Sequence, residues 1–237
     1  MFGFKDKMLS FVFPDTCIVC GNPVKSTEYA CSSCKMKITF ISEVFKCRTC
    51  LSFLNSSENG ICGDCLINKP SYSRLISCVN YEGYIKKTMR AFKFYNRPDY
   101  HIGYSKLACE ILEREDVYFD AVIPIPLHIK SLKKRGYNQS LLIAERVASY
   151  FDVPCFDDLL IKTKETKRQS ELKLDERKKN IKDAFSLFSP ERIDGLHILL
   201  LDDIFTSGST LREASRVLCN YAENITAFTV ARAKFKY

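Results

Sequence analysis

Two adjacent carboxylates and a small hydroxylated loop are the residues of this chain best suited to chemistry. Asp202 and Asp203 follow an apolar run at 198–201, which is typical of a buried strand in a parallel sheet. The loop that follows them consists of Thr206, Ser207, Gly208, Ser209 and Thr210. Residues 211–221 then have helical spacing, and the amides at a helix start favour a phosphate. Paired carboxylates suit two vicinal hydroxyls or a hydrated Mg²⁺, so the pattern predicts a sugar-phosphate site.

This run resembles the motif with which type I phosphoribosyltransferases bind PRPP (5-phosphoribosyl 1-diphosphate). In that family an acidic pair holds the ribose hydroxyls and a Thr/Ser/Gly loop holds the 5-phosphate. The resemblance implies PRPP, accompanied by Mg²⁺, as a ligand of Asp202, Asp203 and the loop 206–210. An Asp-rich turn that caps a strand is the alternative, although one carboxylate would cap as well as two.

Eight of the twelve cysteines form four C-x-x-C pairs, all before residue 66. They are Cys17 and Cys20, Cys31 and Cys34, Cys47 and Cys50, and Cys62 and Cys65. Two thiolates separated by two residues can face one tetrahedral Zn²⁺, so the spacing predicts two structural Cys₄ sites and about two Zn²⁺ per chain. Sequential pairing is preferred over interleaved pairing because it closes short loops.

Disulfides are the alternative for these cysteines, and they need an oxidising compartment. Charged residues interrupt the apolar residues at the N-terminus, which is too weakly apolar for a signal peptide. No apolar stretch approaches the twenty residues that span a membrane. We therefore expect reduced thiolates, no transmembrane segment and a cytoplasmic location.

The 237 residues allow one mid-sized α/β domain and one small module. Residues 1–70, poor in large aliphatics, are predicted to form a double zinc ribbon, and residues 71–237 the α/β domain. Strands are predicted near 75–81, 121–125, 198–201 and 225–231, and helices near 84–94, 102–114, 139–150 and 211–221. This alternation predicts a parallel sheet flanked by helices, with the loop 124–136 facing the acidic pair.

The run IPIPLHIKSLKKRGYNQ at 123–139 resembles the P-V-P-L-H … R-G-F-N-Q signature of the ComF family of competence proteins. Members of that family combine an N-terminal zinc module with a phosphoribosyltransferase-like domain, and they are linked to the uptake or use of external DNA. The resemblance covers nearly the whole chain. It implies a type I phosphoribosyltransferase-like fold behind a double zinc ribbon, and proteins of the DNA-uptake machinery as partners.

Two basic segments could hold a polyanion. Lys130 and Arg135 belong to a predicted cationic loop suited to a diphosphate, and Arg135 is the better candidate because its planar guanidinium binds phosphate bidentately. The second segment is 162–182, in which residues 163–174 resemble the hood loop that covers PRPP in this fold and residues 175–182 are predicted to form a short helix. Its Lys178 and Lys179 are candidate contacts to single-stranded DNA, to which Phe45, Phe53 and Tyr72 could add stacking. A solvated basic face is the alternative for both segments.

Two function classes remain open. In the first, the chain is a protein of natural transformation that binds PRPP and single-stranded DNA. In the second, it is an active phosphoribosyltransferase in nucleotide metabolism, in which a base or ammonia attacks C1 of the ribose as diphosphate leaves. The sequence identifies neither an acceptor site nor a catalytic residue.

Overall fold

The computed structural model describes residues 15–41, 46–54, 60–166 and 180–233. The elements of the N-terminal part are α1 (Ser32–Lys35) and α2 (Gly63–Ile67). The α/β part contains β1 (Arg74–Asn80), α3 (Gly83–Phe94), α4 (Tyr100–Arg114), β2 (Ala121–Pro124), α5 (Ile129–Arg135), α6 (Gln139–Phe151), β3 (Leu160–Lys162), β4 (Phe185–Leu187), a 3₁₀ helix (Pro190–Ile193), β5 (His197–Phe205), α7 (Ser209–Leu218) and β6 (Asn224–Arg232).

Four strands form a parallel sheet in the order β1-β6-β5-β2. Leu201 of β5 pairs with Pro124 of β2 on one side and with Phe228 of β6 on the other. Because the strands are parallel, the carboxyl ends of β2 and β5 lie at one edge of the sheet, where ligands bind in such folds. The predicted α/β fold with a parallel sheet is confirmed.

Strand β5 supplies successive side chains to two different cores, one on each face of the sheet. Leu199 and Leu201 lie in the first core, with side chains from α3, α4 and α6. Ile198 and Leu200 lie in the second core, with side chains from α7 and from the antiparallel pair β3–β4. All four side chains are fully buried, which explains why the strand is apolar without alternation.

The cysteine-rich part of the chain covers the free edge of β1. The backbone amide of Ile41 donates to the carbonyl of Cys78 at 2.9 Å, and that of Asn80 donates to Thr39 at 2.9 Å. Further along the strand, the amide of Leu75 donates to the carbonyl of Arg48 at 2.7 Å. These bonds pair an edge that would otherwise expose unsatisfied backbone groups.

The structure differs from the sequence-based expectations at three elements. Residues 129–135 form the helix α5 and not a loop, with His128 as its N-cap and Gly136, at φ 86°, ending it. Strand β5 continues through the acidic pair to Phe205 because β6 pairs with it as far as Arg232. The short pair β3–β4 was not predicted. Among the described residues, none of the helices has the length and apolar character needed to cross a membrane.

Candidate functional site

The acidic pair lies inside β5 and is not exposed at its end as expected. Asp203 is only 5% exposed. Asp202 Oδ1 accepts a hydrogen bond from Ser140 Oγ at 3.0 Å and another from the backbone amide of Asp203 at 2.9 Å. The two hydrogen bonds of Asp202 thus come from the start of α6 and from the backbone of β5 itself.

Lys93, in the last turn of α3, is a site residue that the sequence analysis did not predict. Its Nζ lies 2.9 Å from Oδ1 and 2.8 Å from Oδ2 of Asp203. The lysine side chain is 21% exposed, so this ion pair is largely withdrawn from water. It supplies the cation that allows a carboxylate to remain ionised at a buried position.

Asp202 has a perturbed acidity. Desolvation, followed by the negative charge of Asp203, raises the pKa of Asp202 to about 6, while Lys93 and the bond from Ser140 act in the opposite direction. Burial lowers the pKa of Lys162 in β3, against the attraction of Asp202. Lys162, the first residue of the predicted basic segment 162–182, is thus a second cation near the pair. Perturbed groups gathered at a strand end are typical of functional sites.

The hydroxylated loop leads directly into α7. Ser207 Oγ lies 2.9 Å from Ser209 Oγ, and the amide of Ser209, the first residue of the helix, donates to Ser207 Oγ at 3.4 Å. Gly208 has φ +73°, and a Cβ there would lie 2.6 Å from Cζ of Phe205. The loop therefore requires glycine, and its amides lie at the positive end of the helix dipole, where an anion is favoured. Thr206 and Thr210 flank this turn.

The start of α6 joins the two strand ends to α3. Asn138 caps the helix by accepting from the amide of Ser140 at 3.1 Å, and it donates to the carbonyl of Ile125 at 3.0 Å. Gln139 donates to the carbonyl of Phe92 at 3.2 Å. Through these bonds Ser140 is held next to Asp202.

The predicted diphosphate cations lie in different surroundings. Lys130 forms an exposed ion pair with Glu165, with 2.7 Å between Nζ and Oε2. Arg135 donates to the side-chain oxygen of Gln139, and its guanidinium lies 5.5 Å from the ring centre of Phe94. Arg135 is therefore linked to the acidic-pair side of the site through Gln139, whereas Lys130 is tied to the chain that follows β3.

The eight paired cysteines form two clusters, each within 4.8 Å between ligand atoms. They are Cys17, Cys20, Cys31 and Cys34, and Cys47, Cys50, Cys62 and Cys65. Four sulfurs bound to one zinc at 2.3 Å would lie about 3.8 Å apart. The distances of 4.0 Å between Cys17 and Cys31 and 3.6 Å between Cys50 and Cys62 fit such a group. The two clusters are those of sequential pairing.

The candidate contacts to DNA are only partly described. Lys178, Lys179 and Phe45 lie outside the described residues, as does most of the predicted hood loop. Tyr72 is 2% exposed and donates to the carbonyl of Thr49 at 2.8 Å, so the idea that it stacks on bases is wrong. Phe53 is 75% exposed, and Lys46 Nζ lies 5.2 Å from the centre of its ring.

Comparison with known proteins identifies both parts of the chain. Residues 8–66 match the double zinc ribbon domain, and residues 137–234 match the phosphoribosyl transferase domain. Competence protein F of Haemophilus influenzae is 29% identical over 95% of this chain and 100% of its own length. The DNA utilization protein YhgH of Salmonella typhimurium is 26% identical over 92% of this chain and 97% of its own. Over most of its length the chain is therefore a homologue of competence and DNA utilization proteins.

A third relative, competence protein ComFC of Bacillus subtilis, is 28% identical over 89% of this chain and 87% of its own length. These homologues are named as competence or DNA utilization proteins. A solved structure of glutamine PRPP amidotransferase from B. subtilis is 18% identical, with a TM-score of 0.41. That match covers 59% of this chain and 30% of the other.

Proposed function

We propose that the chain binds PRPP and single-stranded DNA in the cytoplasm as part of DNA uptake. The observation that supports PRPP binding is the placement of Asp202 and Asp203 in β5, two residues away from the Thr/Ser loop that leads into α7. A ribose diol and a 5-phosphate on one ring match this spacing of carboxylates and amides. The names of the relatives support the process, and the two four-cysteine clusters, which bind metal as thiolates, support the compartment.

Arg135 is the group proposed to receive the diphosphate of PRPP, with Lys130 as a second cation once its exposed pair with Glu165 opens. Mg²⁺ fits the donor set only in part, because Lys93 already contacts both oxygens of Asp203. We therefore propose that Mg²⁺ enters with the diphosphate, which supplies hard oxygen ligands of its own. The residues Asp202, Asp203, Thr206, Ser207, Gly208, Ser209 and Thr210 complete the proposed PRPP site.

Calorimetry with PRPP and Mg²⁺ tests this proposal. Asp202→Asn should weaken PRPP binding at least about tenfold, since a charged hydrogen bond contributes about 1.5–3 kcal/mol. Asp157→Asn, an exposed carboxylate away from the site, is the matched control and should bind PRPP like the wild-type protein. Equal affinity in Asp202→Asn and the control would refute the site.

An active phosphoribosyltransferase remains the alternative, because Asp202 and Arg135 would hold the reactants equally well with or without turnover. Diphosphate release from PRPP, measured with a base or ammonia as acceptor, separates the two functions. Release that requires an acceptor favours the enzyme. Binding without release favours the DNA-uptake protein.

We also propose that the zinc-ribbon module comprises residues 1–70 and the α/β domain residues 71–237.

An exposed aromatic flanked by lysines supports the proposal that the chain binds single-stranded DNA. Tyr84 is 49% exposed, and the amino groups of Lys37 and Lys87 lie 5.7 and 5.6 Å from its ring centre. One cation belongs to the zinc-ribbon module and the other to α3, so the surface crosses the junction between them. Stacking on an aromatic ring beside cations is a sequence-tolerant way to hold a single strand.

Fluorescence anisotropy with a labelled single strand at several salt concentrations tests this surface. Affinity should fall with salt, by a log–log slope of about −0.7 per phosphate neutralised. Lys87→Glu should flatten the slope more than Lys86→Glu, which makes the same charge change on the same helix. Identical slopes for the two variants would contradict a role for this surface.

A further inference from the structure

The second Cys₄ group (Cys47, Cys50, Cys62 and Cys65) contacts α7, the helix that follows the candidate phosphate loop 206–210. Arg212, in the first turn of α7, donates from Nη2 to Sγ of Cys65 at 3.1 Å. Its Nη1 donates to the carbonyl of Asn68, and Nη2 lies 3.8 Å from Oδ2 of Asp64. The backbone amide of Arg212 also donates to the carbonyl of Gly208 at 2.9 Å. One residue thus contacts both a metal-ligand sulfur and the candidate phosphate loop.

The junction around this arginine is open on one side. A cleft of about 320 Å³ separates residues 68–71 from α7, and both Ser209 and Arg212 line it. Leu211, on the buried side of the helix, packs in the second core, which also contains Cys50 and Cys65. On the cleft side, the guanidinium therefore provides a polar link between the cysteine group and the first turn of the helix.

The charges of the two partners are complementary. Four thiolates around one Zn²⁺ carry a net charge of about −2, and a donor to a ligand sulfur stabilises the thiolate and fixes its orientation. Arginine is suited to this role because it stays protonated and its planar fork contacts two acceptors at once. Here the two acceptors are Cys65 Sγ and the Asn68 carbonyl, on either side of the end of α2.

We propose that Arg212 is a positioning residue that couples metal binding at the second Cys₄ group to the phosphate loop. With metal bound, Cys65 and Asn68 hold the guanidinium and hence the first turn of α7, whose amides face the 5-phosphate in the proposed PRPP site. Without metal the Cys65 sulfur that the guanidinium contacts is no longer fixed in place, and the turn loses this support. Coupling is reciprocal, so PRPP should also slow the loss of this metal. The inference rests on the proposed PRPP site.

The rate of zinc transfer to a chromogenic chelator tests the proposal. Alkylation of the cysteines during release identifies which Cys₄ group loses its zinc. In Arg212→Met, zinc at Cys62 and Cys65 should leave at least about tenfold faster, the effect expected on losing a residue that supports a metal ligand. Zinc at Cys31 and Cys34 should leave at the wild-type rate. PRPP with Mg²⁺ should slow the loss of zinc from the group that contains Cys62 and Cys65 in the wild-type protein and not in Arg212→Met.

Two further variants control for a general loss of folding. Arg216→Met lies one turn later on α7, where Arg216 pairs with Glu213 at 2.6 Å, and it should release zinc like the wild-type protein. Arg212→Lys keeps the charge but not the fork, and it should fall between wild type and Arg212→Met. Thermal unfolding of each variant reports whether it is folded.

The outcomes separate this inference from the proposed function. Wild-type zinc release from Arg212→Met, with PRPP binding intact, would overturn the coupling alone. Wild-type PRPP affinity in Arg212→Met after loss of the second zinc would overturn it as well. Absence of PRPP binding by the zinc-loaded wild-type protein would overturn the proposed function and the coupling together.

Discussion

Lys93 explains how two consecutive aspartates can lie in a buried strand. Asp203 is paired with Lys93 of α3, while Asp202 accepts a hydrogen bond from Ser140 and interacts electrostatically with Lys162. The ion pair neutralises one of the two charges before any ligand arrives. The site therefore presents Asp202 as the carboxylate whose charge responds to its surroundings.

Removing the amino group of Lys93 should destabilise the fold. In Lys93→Met, Asp203 remains buried without its cation, and we expect a loss of about 2–3 kcal/mol in unfolding free energy, at or below the lower end for buried pairs because Lys93 is partly exposed. Urea unfolding measures this loss. The double variant Lys93→Met with Asp203→Asn should recover much of it, and Lys93→Arg should lose little. A single variant as stable as wild type would show that the pair contributes nothing.

Proton uptake by Asp202 should make ligand affinity depend on pH. With a pKa of about 6, Asp202 is protonated below that pH and ionised above it. Only the ionised form accepts hydrogen bonds with both oxygens, so affinity for PRPP with Mg²⁺ should rise between about pH 5 and 7, by up to about tenfold.

The phosphates of PRPP titrate in the same range, so Asp202→Asn is the necessary control. The wild-type affinity should rise more steeply with pH than the affinity of this variant. Parallel pH curves from calorimetry would mean that Asp202 does not titrate in the binding range.

The acidic pair was predictable from sequence, but its partners were not. Asp202 and Asp203 stand out because charged residues directly continue an apolar strand. Lys93 lies 110 residues earlier in the chain, at the end of an amphipathic helix where a lysine is ordinary. Only the packing of α3 against β5 gives it a specific role, and no local pattern carries that information.

At the scale of elements, the loop 206–210 depends on the contact between Gly208 and Phe205. The ring of Phe205 is buried and fills the space that a side chain at Gly208 would need. A bulky residue at the end of β5 is therefore compatible with this loop only because glycine follows three residues later. The pair sets the path by which the strand enters α7.

Gly208→Ala should disturb both folding and binding. The new Cβ would lie 2.6 Å from Phe205 Cζ, at a backbone φ of +73° that alanine disfavours. We expect a loss of about 1–3 kcal/mol in unfolding free energy, together with weaker PRPP binding. Urea unfolding and calorimetry measure the two effects.

Gly195→Ala is the matched control, because Gly195 has φ +71° and no atom within 4 Å of the added Cβ. It should show the cost of the backbone conformation alone, which is about 1 kcal/mol, and leave PRPP binding unchanged. Equal losses in the two variants would rule out a contribution from the Phe205 contact.

Elements with a long run of periodic apolar residues were predicted, and short elements were missed. The strands β1, β2, β5 and β6 and the helices α3, α4, α6 and α7 lie where hydrophobic periodicity indicates them. The pair β3–β4 has three residues per strand, too few for a pattern. Helix α5 was predicted as a cationic loop, although His128 and Gly136 are recognisable as its ends.

For the whole molecule, the double zinc ribbon belongs to both cores of the α/β fold. Side chains around Cys17 and Cys34 pack in the first core, whereas Cys47, Cys50 and Cys65 lie in the second. The two Cys₄ groups thus face opposite sides of the sheet, and the chain between them pairs with β1. The sequence predicted a separate module held by metal. The shared cores were not predictable, because the residues that form them are distant in the chain.

Metal removal should therefore reduce the protection of backbone amides along β1. The amide of Leu75 donates to Arg48 of the ribbon and that of Asn80 donates to Thr39, whereas the amides of β5 bond within the parallel sheet. Structural zinc contributes about 10–16 kcal/mol to the folding of small metal modules, so its loss should open the ribbon first. Hydrogen–deuterium exchange after chelation should accelerate in peptides that contain Leu75 and Asn80, while a peptide that contains Leu200 stays protected.

The second ribbon can also be opened alone, with Cys62→Ser and Cys65→Ser. Exchange should then accelerate at Leu75, which bonds to Arg48 between Cys47 and Cys50, more than at Asn80, whose acceptor Thr39 follows the first group. Cys219→Ser, at an exposed cysteine outside both groups, is the control and should leave both peptides unchanged. If Leu75 stays as protected as Leu200 in zinc-free protein, the ribbon does not protect the edge of the sheet, and β1 must be stable through its pairing with β6 alone.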